Sequence, residues 1–491
     1  MMAISKFLKG ISRRIKRVIN KISNGLTLKK ICNYIDIDVP KEYKKEQNKL
    51  LNGFSCNAKR IKKDGAFFIV TYGMTSKKVK AQQAYLGGAK YIFSNKEYFL
   101  DDGRKIPYIY VENPNKAYQE VCKALFDKYD IKVVAVTGSV GKTTTKDMIY
   151  QVISQKYKTI KNMGNFNQIG TLSEVILKLN NSYEYYVQEM GAGINDLKIL
   201  SYMSYILKPY VAVITNIGSS HLETYKTKEN LITLKTGIED YLREDGYVLV
   251  NGDDESLANH KFKHKVRYYG LNKKNDYYAD NINIKGVSMT FDIVDKILDN
   301  RFTITLDLLG EHNIYNVLVS YATGKIAGLS DEEIILGLKS FKTTGIRQNY
   351  VKINGYNLFI DCYNAAPASV RNALKVVKDI EVEKGNKKIA VLGDMLELGK
   401  DEIDLHREMG KVIKDYDIDY LFCYGTLSKY IADEAKRAGV KTIYSDDKEV
   451  IVKEVKKAMK QGDLILFKAS NGMNLPEIID ELFKTEFSKK K

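Results

Sequence analysis

The stretch Val133-Val134-Ala135-Val136-Thr137-Gly138-Ser139-Val140-Gly141-Lys142-Thr143-Thr144-Thr145 decides the fold. Val133 to Val136 are small or β-branched apolar residues and read as a buried strand. The glycines that follow read as a loop, and the run through Asp147 and Met148 as a helix. A strand, a glycine loop and a helix in that order turn backbone N–H groups toward a phosphate, with the positive end of the helix dipole behind them. Gly138 and Gly141 allow the turn, Lys142 reaches the outer phosphates, and the Thr143 hydroxyl suits Mg²⁺. The spacing is GxxGKT, two residues shorter than the GxxxxGK[ST] form. Gly138, Ser139, Val140, Gly141, Lys142, Thr143 and Thr144 are therefore the candidate nucleotide-binding residues.

Working outward, two later strands end in groups suited to the same metal. Tyr185-Tyr186-Val187-Gln188 runs into Glu189-Met190-Gly191, and Val211-Ala212-Val213-Ile214 runs into Thr215-Asn216-Ile217-Gly218 and then His221. Ligands of open parallel sheets gather at the carboxyl ends of the strands. A carboxylate and an imidazole placed there can hold a hard or borderline cation. Taken singly, Glu189 also reads as a solvated strand end and His221 as a hydrogen-bonded loop histidine. Their shared placement around one glycine loop favours the metal.

The whole chain divides around this centre. At 491 residues it is too long for one core, and the length alone predicts about three domains. Residues 1–26 form a basic leader, 27–129 a small α/β unit, 130–342 the unit with the glycine loop, and 343–491 a second doubly wound unit. In 27–129, Gly65–Val70, Tyr91–Phe93 and Tyr108–Val111 read as strands and Ala81–Ala89 as a helix. In the central unit, short β-rich runs at 266–308 precede a helix at Asn313–Ala327. The last unit has strands at Asn357–Ile360, Lys388–Leu392, Tyr420–Cys423, Thr442–Tyr444 and Asp463–Phe467.

Composition excludes several classes. Hydrophobic residues are 44%, charged residues 28%, and no run approaches a membrane-spanning length. Mean hydropathy is −0.31. Cys32, Cys56, Cys122, Cys362 and Cys423 are scattered and odd in number, which argues against a disulfide framework or a cysteine zinc site and predicts a reduced, cytoplasmic protein. The net charge of +18 is concentrated: residues 1–35 hold nine Lys/Arg and no Asp or Glu, so a nucleic-acid groove along the chain is not indicated. Ile4, Phe7, Leu8, Ile11, Ile15, Val18, Ile19 and Ile22 make one helical stripe among those cations. Such a helix over 1–24 fits weak contact with the inner, anionic membrane face, the plain alternative being a helix packed on its own protein.

With these residues in view, the chain resembles the Mur ligases. TGSVGKTTT, GNFNQIG, EMG, TNIGSSHLE, GEHNIYN, DCYNAAP, VLGDMLELG and KASNGM occur in that family's order across residues 27 to 488. The resemblance implies an α/β, three-domain architecture with a central P-loop parallel-sheet ATPase domain and a C-terminal Rossmann-like domain. It implies an ATP- and Mg²⁺-dependent amide ligase of peptidoglycan precursor synthesis, working as a monomer on a UDP-linked muramoyl peptide. In the first domain, the one expected to bind the UDP precursor, the family's DSR triplet is missing around Ser55–Arg60. Tyr363-Asn364-Ala365 and Gly393–Gly399 are similar to the branch that adds D-alanyl-D-alanine to a muramoyl tripeptide.

By the same resemblance Lys142 and Thr143 serve the phosphates and a metal, while Glu189 and His221 serve the metals. Lys235, 14 residues after His221, matches a lysine that is carbamylated, so that a cation becomes an anion beside the metals. Asn316 matches a contact to the adenine end of ATP, with Asn313 and His312 capping and bracing its helix. Arg347 and Asp361 match the γ-phosphate and ribose contacts brought by the last domain when it closes. The catalytic set so implied is Lys142, Glu189, His221, Lys235 and Arg347. Ala366 stands where the family has Asn, GNFNQIG is one residue short, Leu172 replaces a proline, and Asn471 replaces an arginine. The alternatives are a divergent ligase of this fold acting on another carboxylate and amine, which the missing DSR favours, and a catalytically silent nucleotide-binding scaffold at the membrane.

Overall fold

A computed structural model describes residues 25–490, apart from 73–74, 165, 193–195, 219–224, 226 and 344. The leader helix expected over 4–22, the expected metal residue His221 and Thr344, within the hinge expected near Thr343–Gly345 between the second and third units, lie outside the described residues.

The chain builds three sheets. The first is wholly parallel, in the order β1 (Phe54–Ser55), β2 (Ala66–Phe68), β3 (Tyr91–Ser94), β4 (Ile109–Tyr110). Its helix, expected at Ala81–Ala89, runs instead over Lys77–Leu86. The Ser76 hydroxyl caps it at one end, and the chain leaves it at Gly87. The strand expected over Gly65–Val70 contracts to Ala66–Phe68.

The second sheet has nine strands. β5 (Lys132–Thr137) lies between β7 (Tyr185–Glu189) and β8 (Val211–Ile214), with β6 (Thr159–Lys161) at one edge. Beyond β8 come β9 (Tyr247–Asn251), β10 (Lys265–Gly270), β11 (Tyr277–Lys285), β12 (Ser288–Asp295) and β13 (Asn300–Leu306). Pairing is parallel from β6 as far as β11, and antiparallel where the last two strands return as hairpins. The period of two in the strand sequences accounts for burial on both faces. Val133, Ala135, Tyr186, Ala212, Ile214, Val248 and Val250 enter one core, while Val134, Val136, Tyr185, Val187, Val211, Val213 and Leu249 enter the opposite one.

The third sheet runs β14 (Asn349–Ile353), β15 (Tyr356–Asp361), β19 (Leu464–Lys468), β16 (Lys388–Gly393), β17 (Tyr420–Tyr424), β18 (Lys441–Ser445). All pairs are parallel except β14 with β15, an edge hairpin that the sequence reading omitted. Its turn is Asn354-Gly355, both with positive φ (50° and 84°), the geometry that a two-residue hairpin of matching twist requires. Here too alternate residues divide between two cores: Phe359, Ala390, Leu392, Leu421 and Leu464 on one side, Leu358, Ile360, Val391, Phe422 and Phe467 on the other.

The first two units are fused. One hydrophobic core runs from Leu26, Phe54 and Tyr118 into Ile169, Leu172, Met203 and Leu257. Leu26, at the end of the expected leader, is fully buried in it. The third unit meets the second across a cleft, and among the described residues only Leu309 and Val287 of the second unit pack against the third unit's core. All five cysteines are buried. Among the described residues no helix is long and apolar enough to cross a membrane.

Candidate functional site

β5 delivers the chain into the glycine loop at Thr137, and the helix Lys142–Ile153 leaves it from Gly141, whose φ is 84°. Gly138 has a φ of 145°, and a Cβ there would lie 2.0 Å from Thr215 Oγ1, so only glycine fits. The loop is braced from the end of β8. Ser139 N–H donates to the Asn216 carbonyl at 3.0 Å, Val140 N–H to Asn216 Oδ1 at 3.0 Å, and Thr215 Oγ1 to the Val140 carbonyl at 2.6 Å. The backbone N–H groups of Gly141, Lys142, Thr143 and Thr144 have no acceptor among the described residues. Free donors at a helix N-terminus are an anion site. Lys142 Nζ bends back onto the Gly138 and Ser139 carbonyls, at 2.8 and 2.9 Å. Burial lowers its pKa, with Glu189 working against the shift and Arg347 with it.

Glu189 ends β7 beside this loop. It is 2% exposed, which excludes the plain alternative of a solvated strand end. Its Oε2 accepts from Thr143 Oγ1 at 2.7 Å and its Oε1 from Asn167 Nδ2 at 2.8 Å, while its own N–H donates to Asn162 Oδ1 at 2.8 Å. Thr143 Oγ1 also accepts from Arg347 Nη1 at 2.7 Å, which reaches across from the third unit. The Arg347 guanidinium rests on the Tyr363 ring, 3.2 Å from its centre.

Lys235, on the helix Lys228–Thr236, is fully buried, so the plain alternative of a surface lysine also fails. Its Nζ has no hydrogen-bond partner among the described residues. Burial and the neighbouring Lys142 hold the amine well below the ordinary lysine range, with Glu189 opposing. A buried amine with no partner stays neutral and keeps its lone pair.

A cavity of about 240 Å³ lies next to the loop, between the second and third units, lined among others by Val140, Gly141, Asn251, Asn316, Gln348 and Asp361. Asn316 Oδ1 accepts from Thr145 Oγ1 at 2.7 Å and its amide donates to Asn313 Oδ1 at 2.8 Å. The capping role expected of Asn313 and His312 does not hold. Glu311 is the residue before the first helical turn and gives no side-chain cap, Asn313 Nδ2 donates to the Leu309 carbonyl at 2.7 Å, and His312 Nε2 meets Gln348 Nε2 at 2.8 Å across the cleft. Asp361 Oδ2 pairs with the buried Lys468 at 2.6 Å, and its Oδ1 faces the Gln348 N–H at 3.3 Å.

The structure thus gathers Gly138 to Thr144, Glu189, Lys235, Asn316, Arg347 and Asp361 around one cleft. Sequence reasoning passed over Asn162, Asn167, Lys146, Gln348 and Lys468, whose parts depend on contacts between segments distant in sequence. The one available signal was the density of polar residues in GNFNQIG. Among the described residues no cluster of three His, Cys, Asp or Glu could hold a metal by itself. One carboxylate with one hydroxyl nonetheless suits Mg²⁺, which keeps several waters and is shared with substrate phosphates. Between the first and second units, another cavity of about 380 Å³ is lined by Asn52, Phe54, Arg60, Lys62, Glu174 and Lys178. Arg60 stacks over the Phe166 ring at 3.9 Å.

Comparison with known proteins agrees with this architecture. A family model described as the Mur ligase middle domain matches residues 136–324, and one described as the Mur ligase, glutamate ligase domain matches residues 346–471. The UDP-N-acetylmuramoyl-tripeptide–D-alanyl-D-alanine ligase of Bacillus subtilis is 36% identical over 384 residues, 77% of this chain and 82% of that protein. The Escherichia coli protein of the same name is 28% identical over 408 residues, 82% of this chain and 87% of that one. Among solved structures, the MurF ligase of Thermotoga maritima in complex with ADP superposes with a TM-score of 0.73 at 25% identity, covering 89% of this chain and 98% of that one. MurF from Acinetobacter baumannii shares the fold, with a TM-score of 0.78 at 21% identity over 94% of this chain and 99% of that one.

Proposed function

The chain belongs to the Mur ligase family, and on that premise we propose that it is the ATP-dependent ligase that adds D-alanyl-D-alanine to a UDP-N-acetylmuramoyl tripeptide in the making of peptidoglycan. The observation that carries this reading is the glycine loop with its free N–H donors, flanked by Lys142, Thr143, Glu189 and Lys235 and faced by Arg347 and Asp361 from the third unit. The names borne by the relatives supply the two substrates.

In the reaction, an oxygen of the peptide carboxylate attacks the γ-phosphorus of ATP and ADP leaves. The dipeptide amine then attacks the acyl carbon, an amide bond forms, and inorganic phosphate departs. The first step brings like charges together, so the protein's task is neutralisation and alignment. The N–H groups of Gly141 to Thr144 bind phosphate oxygens. Lys142 leaves the loop carbonyls to meet the outer phosphates. Arg347 leaves Thr143 for the γ-phosphate, kept in place by Tyr363. Asn316 and Asp361 hold the nucleoside end in the cleft.

Thr143 and Glu189, with His221, would hold Mg²⁺, whose chemistry here is charge neutralisation on the transferring phosphoryl group. The neutral Lys235 amine can add to CO₂, forming an N–C bond and releasing a proton, and the resulting carbamate is an anion facing Lys142 and the metal site. The muramoyl substrate enters at the seam of the first and second units, where Arg60, Lys62 and Lys178 offer positive charge to a diphosphate. The scattered, buried cysteines suit a cytoplasmic setting.

The test is incubation with ATP, Mg²⁺, UDP-N-acetylmuramoyl tripeptide and D-alanyl-D-alanine, followed by mass spectrometry of the product. The expected product is the tripeptide precursor plus the dipeptide less one water, formed only when all components are present and absent with Lys142→Ala. Phosphate release without that product, or a stronger reaction with a different amine, would overturn the proposed substrate pair.

A further inference from the structure

Lys146 lies one turn past the glycine loop and has no part in the mechanism above. It is 1% exposed, a costly position for an ammonium group. Its Nζ donates to the Asn162 carbonyl at 3.3 Å and reaches the Gly164 carbonyl at 3.5 Å, with Asp147 Oδ1 at 3.4 Å and Glu189 Oε2 at 4.0 Å. The segment it touches holds Glu189 from two further sides. The Asn162 side chain accepts from the Glu189 N–H and donates to the Phe166 carbonyl at 3.1 Å. Asn167 donates to Glu189 Oε1, and its carbonyl accepts from Gly191 N–H at 2.7 Å. Both oxygens of Glu189 are therefore fixed, one by Thr143 and the other by Asn167. The segment carrying Asn167 is tied to the glycine-loop helix through Lys146. A lysine that served only to fill the core would be replaced by methionine at little loss, since methionine fills the space of the lysine stem without the cost of burying charge.

We propose that Lys146 is a positioning residue that pins Asn162 and Gly164 to the glycine-loop helix, so that Asn162 and Asn167 hold the Glu189 carboxylate in the orientation that receives the divalent metal. The inference rests on the proposed function only in taking Glu189 to face that metal. Groups that orient a metal ligand from outside its coordination shell typically matter by about 10–100-fold in metal affinity or activity.

The experiment measures Mn²⁺ binding to the full chain with ADP by electron paramagnetic resonance, alongside thermal melting. Lys146→Met is expected to melt at or above the temperature of the parent and to bind Mn²⁺ about tenfold more weakly. Lys146→Arg, which keeps the charge and N–H donors long enough to reach the two carbonyls, is expected to recover most of that loss. Two results overturn the proposal: Lys146→Met binding Mn²⁺ within about twofold of the parent, or Lys146→Arg binding as weakly as a folded Lys146→Met. If Lys146→Met does not fold, Lys146→Arg alone decides, with affinity within about threefold of the parent supporting pinning and any greater loss overturning it. Glu189→Gln separates the two ideas. If it loses Mn²⁺ while Lys146→Met keeps it, only the role of Lys146 fails. If both keep it, the metal-facing reading of Glu189 fails with it.

Discussion

Lys235 shows most sharply what a single residue costs and supplies. Its amine is buried, has no hydrogen-bond partner among the described residues, and sits near a second lysine. Its folded-state pKa is depressed, so between the folded and unfolded values the unfolded chain binds a proton that the folded chain does not. Stability then rises with pH, and the cost disappears only above the unfolded lysine pKa of about 10.4. Lys235→Met is accordingly expected to raise the melting temperature at pH 7, by a margin that shrinks steadily toward pH 10, as differential scanning fluorimetry across that range would record. The same substitution is expected to lower turnover by about 100-fold or more, through loss of the proposed carbamate anion. In the parent, removing CO₂ and bicarbonate from the buffers is expected to slow turnover and restoring them to recover it, with Lys235→Met indifferent to both. At this scale the sequence was informative about identity and silent about environment. Lys235 was singled out only by its resemblance to a family position, because burial of a lysine on a nine-residue helix leaves no trace in spacing.

Among the elements, the glycine loop was legible because strand, loop and helix each carry a local signature. The strands of the two large sheets were legible because they are continuous apolar runs buried on both faces. The elements missed are short or exposed: β6 with three half-buried residues, β1 with two residues, and the edge strand β14, where burial alternates weakly. The Asn354-Gly355 turn was the available sign of β14. Gly138 tests the loop as an element. A methyl group there meets Thr215 Oγ1 at 2.0 Å and burdens a φ of 145°. Gly138→Ala is expected to weaken ADP binding by at least tenfold in titration calorimetry, with the far-ultraviolet circular dichroism unchanged. Binding at parental strength would mean that the loop is not the phosphate cradle. His406 holds another element. It is fully buried, it accepts from the Met395 N–H through Nε2 at 3.0 Å, and its Nδ1 faces the Glu402 carbonyl, fixing the turn after β16. Burial depresses its pKa. The folded form therefore resists protonation, and stability falls as pH drops below the unfolded histidine value of about 6.5. His406→Asn is expected to flatten that acid-side decline in melting temperature.

Across the whole molecule the contrast lies between a fused pair and a separable third unit. The first two units share one hydrophobic core, whereas the third meets them through Arg347–Thr143, Gln348–His312 and Lys375–Glu311. Polar contacts of this kind can part and re-form, so opening is expected between the second and third units, with the hinge expected near Thr343–Gly345, where Gly345 has a φ of 72°. Small-angle scattering should show the radius of gyration falling when a non-hydrolysable ATP analogue and the muramoyl substrate are added together. Arg347→Ala should lessen that compaction and reduce kcat more than it raises KM for ATP. The three-unit plan was readable from the alternation of strands and helices, but the fusion of the first two units was not, since it arises from residues such as Phe54, Tyr118 and Leu172 that meet only in the folded chain. The central claim is that one cleft transfers a phosphoryl group to a carboxylate before an amide forms, and oxygen tracing tests it most directly. With ¹⁸O in the terminal carboxylate of the muramoyl tripeptide, turnover in the presence of D-alanyl-D-alanine should place one ¹⁸O in each inorganic phosphate released, read by ³¹P magnetic resonance. Phosphate that carries no label while the amide forms would contradict the acyl phosphate and the account built on it.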